Sequence, residues 1–177
     1  MGGACALLVA AVLLAGICGF AAGASALRPW LAVLFGINAG IRNVSLGSLR
    51  AVNAIDVVLL ALASATFVGM WPGPGGSYAA WMAIAVALPI AGIPLLVVTR
   101  RLGRSGFMGG GVVVSVLMLF NAAWMALGLM GLAANVFLLA GDFATRDRRS
   151  PITAVSVAIG YVAMIGWLVW TGTRLLA

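Results

Sequence analysis

Residues 107–144 read FMGGGVVVSVLMLFNAAWMALGLMGLAANVFLLAGDFA, 38 positions with a single charge, Asp142, near the far end. A helix of that length would reach about 57 Å at ~1.5 Å per residue. The hydrocarbon core of a bilayer is ~30 Å thick and needs about 20 apolar residues to cross. The stretch is therefore too long for one crossing and right for two. We divide it into spans over 107–124 and 127–144, joined by a tight hairpin near Ala126-Leu127-Gly128.

The rest of the chain carries the same signature. Of 177 residues, 64% are hydrophobic and only 7% charged, against about 25% charged in an average soluble domain. So few charges cannot furnish the polar surface of a water-soluble fold. Further apolar runs cover 4–26, 53–71, 78–99 and 152–173. The whole reads as a single integral membrane domain over 1–177, all-α, a helix bundle of about six spans. Pro89 and Pro94 fall inside the run 78–99, where each removes a backbone donor and bends the helix. Trp167 and Trp170 near the end of the last run read as interface anchors.

Two segments admit alternatives. The first run is followed by Ala24-Ser25-Ala26, a cleavage-like triplet, but it lacks a basic n-region and exceeds a signal peptide's usual length. We read it as a retained helix. Residues 28–50 hold an apolar core of only 12 positions, then Arg42, Asn43, Ser45, Ser48 and Arg50. Such a segment suits an interfacial helix, with a seventh span as the alternative.

The net charge is +7, from ten arginines and three aspartates, with no Lys, Glu or His. A basic balance can indicate nucleic acid. These arginines instead punctuate apolar runs, where charges set topology and touch lipid headgroups, so nucleic acid is not expected as a partner. Arg100, Arg101 and Arg104 form one expected basic loop (100–105). Arg146, Arg148 and Arg149 form another (146–150). Two spans separate them, so both face one side, expected to be the cytoplasmic face of a bacterial inner membrane. The Pro-Gly loop 72–77 then faces the other side.

Chemistry-bearing residues are few. Without His there is no conventional triad, and two cysteines 13 apart, Cys5 and Cys18, cannot complete a zinc site of about four ligands. No enzyme activity, metal or cofactor is expected. Gly106-Phe107-Met108-Gly109-Gly110-Gly111 is Gly-rich, but it matches no phosphate-binding spacing and reads as close helix packing. Ionisable groups inside a membrane are costly and often functional, which singles out Asp56 and Asp142. Asn53 precedes Asp56 by three residues and Asn135 precedes Asp142 by seven, each pair sharing a helix face. These four form a candidate proton or cation site. The competing reading makes both aspartates rim residues paired with Arg50 and Arg146.

Three stretches, LRAVNAIDVVLLALASATFVGMW (49–71), GRSGFMGGGVVVSVLM (103–118) and GLAANVFLLAGDF (131–143), resemble small multi-pass bacterial membrane proteins of unknown function. The resemblance covers roughly 49–143. It implies a helical membrane fold and no particular chemistry.

Two functions follow as expectations. The first is a non-catalytic membrane subunit or scaffold. Its evidence is small residues recurring every four positions: Ala11, Ala15, Gly19 and Gly23; Ala61, Ala65 and Gly69; Ala79, Ala83, Ala87 and Ala91. Such stripes let helices approach closely, within a homo-oligomer or against a membrane partner, with lipid as the surrounding solvent. The second is a small transporter or channel using Asp56 and Asp142.

Overall fold

The computed structural model describes residues 1–21, 46–70, 78–98, 100–144 and 151–177. Among these there are six helices and no strand: α1 (Gly2–Ala21), α2 (Leu46–Gly69), α3 (Tyr78–Val98), α4 (Arg100–Leu119), α5 (Met125–Ala144) and α6 (Pro151–Leu176). The chain is all-α, as its apolar runs lead one to expect. Two helices are long and apolar enough to cross a bilayer, α3 over Tyr78–Leu95 and α6 over Val155–Leu176. The apolar stretches of the other four are shorter: Gly2–Ala15, Asp56–Gly69, Ser105–Leu119 and Met125–Gly141. Ala24-Ser25-Ala26, the Pro-Gly loop, the basic loop 146–150 and the first part of 28–50 lie outside the described residues.

Each helix packs against its neighbour in the chain, and α6 returns to pack on α1, so the six close into a ring. α2 also reaches α4, with the Phe67 and Phe107 rings stacked at 6.4 Å between centroids. Consecutive helices run antiparallel. Gly106 faces Leu88 while Gly110 faces Ala85, and Gly141 faces Val157 while Gly160 faces Leu138. One end of the bundle therefore gathers the starts of α2, α4 and α6, including Arg50, Arg100, Arg101 and Arg104. The interior is filled by Val9, Phe67, Val114, Leu127, Met164, Trp167 and Leu168, all buried.

Glycine sets the contact distances. A Cβ on Gly2 would come within 2.6 Å of the Gly69 Cα, so α1 and α2 touch backbone to backbone. On its other side α1 meets α6, where a Cβ on Gly3 would lie 2.7 Å from the Gly172 carbonyl oxygen. At the α3–α4 contact, a Cβ on Gly110 would lie 2.6 Å from the Ala85 carbonyl oxygen. Pro89, four residues after Ala85, has no N–H to give that oxygen. Gly110 thus brings its Cα hydrogens over the carbonyl that proline frees, a weak C–H···O contact of the sort that makes intrahelical proline tolerable. The Gly-rich stretch 106–111 is helical throughout, so it is a packing surface and not a phosphate loop.

Several expected boundaries move. The hairpin lies at Phe120–Trp124, before Ala126-Leu127-Gly128. Its turn is held by Asn121 N–H to the Met118 oxygen at 3.1 Å and Trp124 N–H to the Asn121 oxygen at 2.9 Å. The Asn121 side-chain oxygen accepts the Ala123 N–H at 3.0 Å, an Asx-type turn. Gly128, which looked like the breaker, sits inside α5, where it lets the Ser115 carbonyl approach. Arg100, Arg101 and Arg104 belong to the first turns of α4 and do not form a loop, since arginine is a good helix former and the turn from α3 is short. Pro151 opens α6 at a helix's first position, where its missing N–H costs nothing. Trp167 is fully buried and is no interface anchor, whereas Trp170 is 41% exposed.

Candidate functional site

Asp56 is only 3% exposed. The sequence placed it about one turn inside a span, at a charged rim. α2 begins at Leu46, so Asp56 lies about 15 Å along the helix at ~1.5 Å per residue, where the helix's apolar stretch Asp56–Gly69 begins. Arg50, its expected partner, is six residues earlier on the same helix. The Arg50 side chain lies outside the described residues.

The carboxylate borders a cavity of about 60 Å³. Five of the six helices line it: Leu13 from α1, Asp56 and Leu60 from α2, Met108 from α4, Leu138 from α5, and Tyr161 and Met164 from α6. That volume admits about two waters at ~30 Å³ each. Apart from Asp56, the only polar side chain in the lining is Tyr161. Hard cations take about six or more oxygen ligands. One carboxylate and one phenol fall far short, and no group of three or more His, Cys, Asp or Glu that could hold a metal occurs among the described residues.

Asn135 is not among the residues that border this cavity. Asn135 is fully buried on α5, but its amide faces α4. Its Nδ2 donates to the Gly131 carbonyl at 2.7 Å, and its side chain fills the space a Cβ on Gly111 would take. Asn53 lies on α2 and Asp142 in the last turn of α5; their side chains lie outside what the structure describes.

Around Asn135 the bundle carries a polar layer that no spacing in the sequence announces. Ser115 of α4 is fully buried and donates to the Gly111 carbonyl at 2.7 Å. Its hydroxyl and the Trp167 indole nitrogen both crowd the side-chain position of Gly131. Asn135 Oδ1, Trp167 Nε1 and Thr171 Oγ1 are buried with no hydrogen-bond partner among the described residues. Elsewhere, buried hydroxyls bond their own helix, Ser64 to the Leu60 oxygen at 3.0 Å and Thr66 to the Leu62 oxygen at 2.9 Å.

A second, larger cavity of about 680 Å³ opens at the end opposite Arg100, Arg101 and Arg104. It lies where α2 and α4 finish and α3 and α5 begin, between Met70, Tyr78, Met118 and Trp124. Arg174, which the sequence reading passed over, lies beside it. Its guanidinium is 5.7 Å from the Trp124 ring centroid, and Nη1 donates to the Ala123 carbonyl at 2.8 Å.

No protein family, curated protein or solved structure matches this chain.

Proposed function

We propose that this chain is a multi-pass membrane protein whose working group is Asp56, and that it binds and releases a proton as part of proton-linked transport. The membrane reading is supported by helix length and by what the bundle exposes. The six helices run 20 to 26 residues, or about 30–39 Å at ~1.5 Å per residue, close to a bilayer's hydrocarbon thickness. Their outer faces present Leu8, Val58, Ile84, Ile90, Leu129, Val136, Ile159 and Val162, each exposed by more than two fifths. Apolar surface that extensive is foreign to a soluble monomer. The clustering of Arg50, Arg100, Arg101 and Arg104 at one end would make that end cytoplasmic, in a bacterial inner membrane.

The observation that carries the transport reading is the burial of Asp56 against a small, mostly apolar cavity. Intramembrane carboxylates facing a bundle interior mark proton relays. The test uses the full chain in liposomes holding a pH-sensitive dye, with a potassium diffusion potential imposed. Proton uptake by the wild type that is lost in Asp56→Asn, with the variant's helicity and elution profile unchanged, supports the reading. Equal uptake by both proteins removes it.

A second reading, the non-catalytic subunit or scaffold, is favoured by the outer face of α3. Ala83, Ala87 and Ala91 are all exposed, four residues apart. Lipid-facing small-residue stripes suit close packing against another helix. Intact-complex mass spectrometry after mild extraction would show a stoichiometric partner, or a second copy, that Ala87→Leu displaces. A monomer in both proteins would end that reading.

A further inference from the structure

We propose that the 680 Å³ cavity is a binding site for an anionic amphiphile, a molecule with one apolar chain and a negatively charged head. Its volume lies in the ~300–1,000 Å³ range of small-molecule sites. The wall is suited to an apolar chain. Met70 just past α2, Met82 of α3 and Met118 of α4 line it, and methionine's flexible thioether fits irregular apolar shapes. Val114 and Leu117 continue the surface. The rim is suited to a charged head. Tyr78, Asn121 and Trp124 combine apolar bodies with polar tips.

Arg174 supplies the charge. It is the only arginine on this end of the bundle among the described residues, the others standing at the starts of α2 and α4. None of the three aspartates, at 56, 142 and 147, lies on the helix ends that frame the cavity. The guanidinium is fixed over Trp124, itself a wall of the cavity, and gives one hydrogen bond to the Ala123 carbonyl. A guanidinium carries five N–H donors in a planar fork, so one bond to Ala123 orients it without exhausting it. Carboxylate and phosphate both match that fork. The ligand is thus a fatty-acid-like carboxylate or the head and chain of an anionic phospholipid. Nothing in this assignment depends on Asp56.

The test places the full chain in zwitterionic phosphatidylcholine nanodiscs and adds a fatty acid brominated close to its carboxyl end, with the matching brominated alcohol as an uncharged control. Bromine held at the rim beside the head quenches Trp124. Saturable quenching by the acid is expected, weaker by about tenfold or more in Arg174→Gln, since a hydrogen bond to a charged group is lost. Arg174→Lys should recover part of the affinity, which separates loss of charge from loss of fold. The quenched signal should vanish in Trp124→Phe. A second arm assigns the source by mass spectrometry of the chain extracted from membranes: retained anionic phospholipid names the bilayer, retained fatty acid the free pool. Equal quenching by acid and alcohol, or an Arg174→Gln protein that binds the acid like wild type, overturns the proposal.

Discussion

The bundle buries two kinds of polar side chain, and it treats them differently. In the Asn135 layer, glycines on facing helices make room for each group: Gly111 for the Asn135 amide, Gly131 for the Ser115 hydroxyl and the Trp167 indole. Shape there is fully committed. At Asp56, Leu13, Leu60, Met108, Leu138 and Met164 stop short of the carboxylate and leave free volume beside it. Leu138 lies only one turn from Asn135 on α5, so the two environments are close in space. A neutral amide built into tight packing specifies which helices meet. A carboxylate bordering a cavity has room beside it for water. On the proposed reading, Asn135 serves the fold and Asp56 the proton step.

Substitutions can break this contrast. The largest effect should follow Gly131→Val, which would drive a side chain into Ser115 and Trp167. A loss of about 3 kcal/mol, read as a fall in folded yield and midpoint in a denaturant titration, is expected. Asn135→Ala should cost about 2 kcal/mol, from a lost hydrogen bond and a small cavity. Gly110→Ala should cost about 1 kcal/mol, because the contact with the Ala85 carbonyl outweighs alanine's better helix propensity. Asp56→Asn keeps the side chain's size and should cost no more than about 1 kcal/mol, while proton uptake is lost. If instead Asp56→Asn unfolds the protein while Asn135→Ala leaves it stable but transport-dead, the two roles are reversed.

Much of this was legible in the sequence. Long apolar runs bounded by arginines announce helices, because 3.6-residue periodicity and composition are properties of one segment at a time. Misplaced features depend on contacts between segments. Gly128 looks like a hairpin because glycine weakens a helix, and only the facing Ser115 explains why it stays helical. Trp167 looks like an anchor because tryptophan favours interfaces, and only Gly131, on another helix, opens the space that buries it. Asp56 stood out as the rare charge beside an apolar run, and its burial follows from helices distant in sequence that pack around it. Tyr161 and Arg174 had no local signal, since each matters through a partner far away in sequence.

The closure of the ring has a consequence for how the protein is made. Of the six described helices, α1 is synthesised before the others and α6, one of the two it packs on, after them, and Gly3 meets Gly172. Ribosomes add about 5–20 residues per second, so α1 must wait on the order of ten seconds before its second face is covered. During that interval the face that holds Gly3 and Leu7 is open to another helix. An insertase or chaperone that shelters a nascent first helix would matter more for this chain than for a bundle of the same size whose first helix packs only on its second.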